Sequence, residues 1–250
     1  MRAGAPLVAL RGVDKVYSNG VVALKGLDLA IGEGEFVSLL GPSGCGKSTV
    51  LRLIAGLGEL TGGAIEWSSL RHEIGFVFQD PTLMPWATVA DNIYLPLRVR
   101  GIRKSDAAPR VERAMEQVGL GGFGDAYPRE LSGGMRMRVS IARALVAEPK
   151  ILLMDEPFAA LDEITRFKLN DDLLALWASQ RWTVVFVTHS VFESVYLSTR
   201  IVVMSSRPGR VSSEVTLQAP PLRDSSFRTS AAYAEQCRKV SARLAEAMQA

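Results

Sequence analysis

Short apolar runs separated by glycine and polar residues occupy the first third of the chain. Runs of this length, bounded by turn residues, are typical of strands. The predicted strands cover residues 7–10, 13–17, 24–31, 35–40, 65–67 and 74–78.

The spacing of apolar residues becomes helical over residues 88–119, and regular strand patterning resumes only at Ile151. Further apolar strands are predicted at residues 151–156 and 183–187, and a helix over residues 136–146 is predicted before the first of them. We therefore expect a mainly helical insert in an α/β core. The last segment places Tyr233, Cys237, Val240, Leu244 and Met248 at helical spacing, which predicts an amphipathic helix packed on the main body.

Composition limits the class of protein. The chain has 250 residues, 48% of them hydrophobic, which suits one large α/β domain with an inserted subdomain. The net charge is only +3 and no dense Lys/Arg run occurs, so nucleic-acid binding gains little support. Nowhere do eighteen apolar residues run together, and the apolar start fits an opening strand better than a signal peptide, so we expect a cytosolic chain.

One glycine-rich stretch carries the clearest chemistry. The stretch follows a predicted buried strand and precedes a predicted helix, and it reads Gly41-Pro42-Ser43-Gly44-Cys45-Gly46-Lys47-Ser48-Thr49. It fits G-x-x-x-x-G-K-[ST], in which backbone N–H groups cradle phosphates, the lysine reaches the β- and γ-phosphates and the hydroxyl ligates Mg²⁺. We expect nucleotide binding here.

Cys45 lies inside this loop, and the other cysteine is Cys237, so the two form no disulfide framework. Backbone amides and Lys47 surround the Cys45 thiol. These positive surroundings are expected to lower its pKa, so that maleimide labels Cys45 faster than Cys237 and MgATP protects it.

Two acidic residues, Asp155 and Glu156, end a predicted apolar strand. Beside bound Mg²⁺ the first can hold the metal through water, and the second can deprotonate the attacking water. Since side chains alternate along a strand, the two carboxylates are expected to have different roles.

Other polar and aromatic candidates are ambiguous from their residue type alone. Gln79 can contact Mg²⁺ or the attacking water, or it can simply be part of a turn. His189 can contact the γ-phosphate, or it can have a purely structural role. Tyr17 can stack on a purine, or be a half-buried strand tyrosine. Ser132 is typical of a helix N-cap, and with Gly133 and Gly134 it can form a second anion site.

These elements occur in a specific order: phosphate loop, Gln79, residues 131–135, residues 151–156, Asp162 and His189. Over nearly the whole chain this order resembles the ATP-binding cassette family of transporter ATPases. The resemblance implies an α/β fold made of a P-loop NTPase core, a small antiparallel β subdomain and an inserted helical subdomain. The implied divisions are 1–80 and 150–217 for the core, 81–149 for the helical subdomain and 218–250 for a C-terminal helical segment.

The same resemblance assigns roles residue by residue. Tyr17 is similar to the adenine-stacking aromatic, Gln79 to the Q-loop residue, Asp155 to the Walker B acid, Glu156 to the catalytic base and His189 to the switch histidine. Asp162 resembles the D-loop residue. Ser132, Gly133 and Gly134 resemble the signature that completes the site of a partner copy. Mg²⁺ would be held by Ser48, Gln79 and Asp155.

A narrower resemblance, to the nitrate/sulfonate/taurine importer group, which includes carriers of pyrimidine vitamin precursors, rests on residues 78–86, 131–136, 155–162 and 206–210. Four positions depart from the pattern of cassettes at large, namely Met135, Met137, Ser190 and Thr199.

The implied function is that of the ATP-hydrolysing subunit of a bacterial importer, peripheral on the cytoplasmic face of the inner membrane. Two copies, or one copy and a homologous ATPase, would sandwich two MgATP and move a separate transmembrane permease, served indirectly by a periplasmic solute-binding protein. Met84 and Trp86 either line a groove for a permease helix or fill the core of the insert. The alternatives are an ATPase of another importer or of an exporter and, less favoured, a cassette ATPase without a transport role.

Overall fold

The computed structural model describes residues 5–68, 74–180, 182–218, 220 and 223–249. The chain forms two compact units, Met1–His72 with Trp177–Ala250, and Glu73–Leu176. The strands are β1 (Val8–Val16), β2 (Val22–Ile31), β3 (Phe36–Leu40), β4 (Gly62–Trp67), β5 (Ile74–Val77), β6 (Ile151–Asp155), β7 (Thr183–Thr188), β8 (Arg200–Met204) and β9 (Val211–Thr216).

The helices are α1 (Lys47–Ala55), α2 (Val89–Val99), α3 (Lys104–Gln117), α4 (Gly133–Leu145), α5 (Glu163–Gln180), α6 (Val191–Leu197), α7 (Ser225–Arg228) and α8 (Ala231–Gln249), with a 3-10 turn at Pro128–Glu130. Among the described residues, none of these helices is long and apolar enough to cross a membrane.

The first unit contains two sheets. In one, β1 pairs with β2 and β4, both antiparallel. In the other, β3 lies between β7 and β8 and pairs in parallel with both, and β9 joins β8 antiparallel. Every residue of β3 and β7 is buried, because parallel strands are covered on both faces.

The predicted strands at residues 7–10 and 13–17 are in fact one strand, β1. Its pairing register shifts between Leu10 and Val13, where Gly12 has a φ of 54°. A glycine in this conformation lets the strand bulge and continue rather than end.

The second unit holds the parallel pair β5–β6, and the described elements between these two strands are helical, as the apolar spacing predicted. Helix α2 packs against both α3 and α4. Val89, Ile93 and Leu97, which recur at helical spacing along α2, are fully buried.

The predicted C-terminal amphipathic helix is confirmed as α8, which packs on α6, β8 and β9. Tyr233, Cys237 and Val240 are buried, but Met248 is 57% exposed, contrary to the prediction. Ala247 is buried in its place. It lies seven residues after Val240, close to two full turns, whereas eight residues overshoot the buried face by about 80°.

Candidate functional site

The glycine-rich stretch 41–49 forms a tight loop from the end of β3 to the start of α1. Gly44 and Gly46 have φ values of 77° and 104°, a left-handed backbone that side-chain-bearing residues rarely adopt. Helix α1 begins at Lys47 and carries no acidic residue in its first turn. The positive end of the helix dipole is therefore not neutralised locally, and it favours an anion at the loop.

Lys47 is folded into this loop. Its side chain is buried, and Nζ donates to the carbonyl oxygens of Gly41 at 2.7 Å and Pro42 at 2.9 Å. A fixed ammonium among inward-facing amides suits the phosphates of a nucleotide. The residues present therefore fit the nucleotide that the sequence implies.

Close packing holds the loop from two sides. A Cβ at Gly46 would lie 2.7 Å from Cδ2 of Leu24 at the start of β2. A Cβ at Gly209, in the turn between β8 and β9, would lie 2.0 Å from the carbonyl oxygen of Cys45. The backbone of Gly209 also donates to Ala23 O at 2.9 Å. Only a glycine at position 209 allows the turn to lie against the phosphate loop.

Arg207, in the same turn, was not assigned a role from sequence. Its Nε and Nη2 donate to Gly44 O at 3.1 and 2.9 Å. The side chain thereby fixes the peptide between Gly44 and Cys45. The signal for it in the sequence is the run at residues 206–210, which also marks the narrower importer group.

The expected lowering of the Cys45 pKa is wrong, while its labelling relative to Cys237 and its protection by MgATP stay predictions. Its side chain is 1% exposed, and burial raises the pKa of the thiol above its ordinary value, with Lys47 acting in the opposite direction as the weaker influence. Removal from water disfavours the thiolate more than a nearby charge favours it. Burial likewise raises the pKa of Cys237.

Tyr17 lies beside the helix that follows the loop. Its hydroxyl is 3.0 Å from Oγ1 of Thr49, and the Lys15 ammonium is 5.2 Å from its ring centroid. Tyr17 is 38% exposed, which leaves room for a further planar group against its ring.

His189 follows the last residue of β7, at the same sheet edge as the phosphate loop. Thr188 is paired in register with Leu40, so His189 and Gly41 each lie one residue beyond paired parallel strands. The His189 side chain is exposed at this edge. The fold therefore brings together two segments that are nearly 150 residues apart in the sequence.

In the second unit, Gln79 lies beyond the end of β5, and the two acids lie at and just beyond the end of β6. Val77 pairs in register with Met154, so Gln79 and Glu156 each lie two residues past a paired position. Asp155 is the last residue of β6 and is buried.

Glu156 differs from the expectation in one respect, because β6 ends at Asp155 and Glu156 lies outside it with a φ of 46°. Strand alternation therefore does not separate the two carboxylates. A left-handed turn does, and such a conformation at a residue other than glycine is a strained one that is commonest at functional sites.

The predicted cap at Ser132 is present. Its Oγ accepts from the Met135 amide at 3.3 Å at the start of α4. A Cβ at Gly134 would lie 2.7 Å from the Thr165 methyl of α5, so this glycine lets α4 and α5 approach closely. Asp162 caps α5, accepting from the Thr165 amide at 2.9 Å, and this hydrogen bond holds the pKa of its carboxyl below the usual range.

Arg143 of α4 is a second residue without a role from sequence. Its guanidinium donates to the carbonyl oxygens of Pro81 at 2.7 Å and Thr82 at 2.9 Å, in the segment just after Gln79. Burial lowers the pKa of this guanidinium. The side chain therefore ties the Gln79 loop to the helix that begins at Gly133.

Trp86 is 77% exposed. The alternative that it fills the core of the insert is therefore wrong. Met84 is half-buried, and its backbone amide donates to Oδ1 of the fully buried Asn92 at 2.8 Å.

Comparisons with known proteins agree with this architecture. Residues 24–159 match the ABC transporter family. An aliphatic sulfonates import ATP-binding protein, SsuB 1, of Pseudomonas syringae pv. syringae is 49% identical over 218 residues, covering 86% of this chain and 88% of the relative. An uncharacterized ABC transporter ATP-binding protein of Methanocaldococcus jannaschii is 47% identical over 227 residues, covering 89% and 84%.

Solved structures give the same result. The dimeric, post-hydrolysis structure of the ATP-binding cassette MJ0796, bound to ADP and Pi, has a TM-score of 0.75 and 35% identity and covers 85% of this chain and all of that one. The cbiO1 structure from Clostridium perfringens has a TM-score of 0.77 and 29% identity, covering 85% and 89%. The phosphate loop, the capped helix α4 and the acidic end of β6 thus occur in a P-loop ATPase fold, and the chain belongs to the ABC transporter family as an ATP-hydrolysing, ATP-binding subunit.

Proposed function

We propose that this ATPase powers an importer for a small solute of the nitrate/sulfonate/taurine or vitamin-precursor type. ATP hydrolysis is supported above all by the phosphate loop, which has left-handed glycines and a buried Lys47. His189 lies at the same sheet edge as this loop. The solute class is supported by the similarity to an aliphatic sulfonates import protein.

Residues 41–49 would cradle the triphosphate, with the Lys47 ammonium compensating the charge on its β- and γ-phosphates. Ser48, Asp155 and Gln79 would hold Mg²⁺, which supplies charge neutralisation on the phosphate oxygens when bound. Hydroxyl, carboxylate and amide oxygens suit this hard cation.

Glu156 is the proposed general base. A carboxylate beside the attacking water accepts its proton as the water approaches the γ-phosphate in line with the leaving oxygen. His189 would hydrogen-bond a γ-phosphate oxygen and so stabilise charge there.

A second copy of this chain, or a homologous ATPase, would complete each site. Ser132, Gly133 and Gly134, at the N-terminal end of α4, would present amides and a hydroxyl to the nucleotide of the partner copy, with Asp162 nearby in the same unit. Tyr17 would stack on the adenine. The dimeric structure of a related cassette supports a two-copy assembly.

The other proposed partners are a transmembrane permease and a periplasmic solute-binding protein. The proposed location is the cytoplasmic face of the inner membrane. The exposed Trp86, in the segment that follows Gln79, is the proposed contact with a permease helix, with Met84 beside it. We also propose the division into core (1–80 and 150–217), helical subdomain (81–149) and C-terminal segment (218–250).

Glu156→Gln tests the mechanism. The amide keeps the shape but cannot take up a proton, so ATP hydrolysis should fall by about 10²–10⁴-fold while MgATP still binds. Because ATP then persists, gel filtration with MgATP should show the two-copy form. Hydrolysis and MgATP binding are measured on the purified full chain.

Two further variants complete this experiment. Glu116→Gln, the same change at an exposed position of α3, should hydrolyse ATP normally, and Lys47→Ala should lose MgATP binding. Normal hydrolysis by Glu156→Gln would show that the base lies elsewhere. A variant that binds ATP, stalls and stays monomeric would contradict the shared site in the isolated subunit.

A further inference from the structure

The backbone on both sides of His189 is tied by one hydroxyl group. Oγ1 of Thr188 accepts from the Ser190 amide at 3.0 Å, so a hydrogen bond spans His189 from the residue before it to the residue after it. Thr188 itself is buried, with 2% of its surface exposed, while the His189 side chain is exposed. A fixed turn therefore carries a solvent-facing imidazole.

The same hydroxyl is oriented by an acid on α6. Thr188 Oγ1 donates to Oε2 of Glu193 at 2.5 Å, and Glu193 is 8% exposed. Hydrogen bonds from a hydroxyl to a carboxyl oxygen at this distance are among the strong ones, and they fix the direction of the O–H bond. The lone pairs of the threonine oxygen are thereby directed to the Ser190 amide.

A third contact closes the arrangement. Ser190 Oγ accepts from the Glu193 amide at 3.3 Å and caps α6. Thr188, Ser190 and Glu193 thus form a ring of three hydrogen bonds that includes the residues on both sides of His189, and each of the three residues makes two of its contacts. These hydrogen bonds fix the backbone from which the His189 side chain extends.

We infer that Thr188 and Glu193 are positioning residues for His189, holding its backbone so that the imidazole meets the γ-phosphate. The inference rests on the proposed role of His189 in hydrolysis. It follows because the hydrogen bond from the Ser190 amide to Thr188 Oγ1 spans His189 alone, and the contacts of Glu193 hold both of its ends. Misplacing a catalytic group by about 1 Å can cost on the order of 10²-fold in rate.

The test is a double-mutant cycle with Thr188→Val and His189→Ala. Valine has the shape of threonine without the hydroxyl, so Thr188→Val should lower kcat for ATP about 10–100-fold and leave KM and MgATP affinity within about twofold. Combined with His189→Ala, the valine should cause less than about a twofold further loss. Thr188→Ser keeps the hydroxyl and should restore most of the rate.

The other possible results distinguish a positioning role of Thr188 from a purely structural one. A loss of equal size with and without His189 would show that Thr188 acts only through folding, and would overturn the inference. Slow hydrolysis by His189→Ala together with normal hydrolysis by Thr188→Val would overturn the inference and leave the proposed function intact. Normal hydrolysis by His189→Ala would contradict the proposed role of His189 and overturn the inference with it, whereas ATP hydrolysis by the chain would stand. If thermal melting shows that Thr188→Val is unfolded, the same cycle with Glu193→Ala gives the same reading.

Discussion

At the scale of single residues, the Cys45 thiol shows how burial outweighs local charge. Lys47 Nζ lies 3.9 Å from the sulfur, yet the pKa of the thiol is raised because the side chain is 1% exposed. The positive charge is already engaged with two carbonyl oxygens. The loop thus protects its cysteine instead of activating it.

We therefore expect Cys45 to react slowly with maleimide. In a Cys237→Ser background, labelling of the native chain at neutral pH should be slower than labelling in urea, because burial lowers the thiolate fraction of Cys45 and shields its sulfur. The pH at which labelling accelerates should lie above that of the unfolded chain. Equal rates in the native and unfolded chains would contradict the assignment.

At the scale of elements, α6 is fixed at its C-terminal end by a buried arginine from the last segment. The guanidinium of Arg223 donates to the carbonyl oxygens of Val195, Tyr196 and Ser198, the last at 2.8 Å. Burial lowers the pKa of Arg223 to about 10. The charge is tolerated because it satisfies carbonyl groups that the end of a helix leaves without partners.

Arg223→Met should accordingly destabilise the protein by on the order of 1–3 kcal/mol, the cost of leaving buried acceptors unsatisfied. The matched control is Arg238→Met on α8, where an exposed ion pair with Glu235 is worth about 1 kcal/mol or less. Urea unfolding of both variants measures the difference. Equal stability of the two variants would show that the capping contacts contribute nothing.

At the scale of the whole molecule, the first unit brings together candidate site residues from segments far apart in sequence. Parallel pairing of β3 with β7 and β8 places residue 41, residue 189 and the turn at residue 209 at one sheet edge. The close approach of Gly209 to Cys45 packs this turn against the phosphate loop.

Gly209→Ala tests this assembly, because its Cβ would lie 2.0 Å from the Cys45 carbonyl oxygen and must displace the loop. MgATP binding should weaken about tenfold or more, as overpacking costs about 1–3 kcal/mol. Gly121→Ala adds the same methyl group where nothing lies within 4 Å and should bind MgATP normally. Titration with MgATP compares them, and unchanged affinity in Gly209→Ala would disprove the buttressing role.

The sequence by itself determined strands β1 to β7, the helical insert, the phosphate loop and the cap at Ser132, but it did not predict β8. Each depends on short-range rules: apolar period, glycine where φ is positive, and a side-chain oxygen before a helix. The order of these motifs was also sufficient to identify the family. Each of these features depends only on residues that are close together in the sequence.

Only the tertiary structure decided the burial of Cys45, the left-handed turn at Glu156, the exposure of Trp86 and the contacts of Arg207, Arg143 and Thr188. A pKa depends on how much water remains around a group, and an arginine's partner depends on which carbonyl lies within reach. Neither quantity is set by neighbours in sequence. Both arise when strands and helices distant in the chain pack together, and so the residues that support the site became visible only in the folded protein.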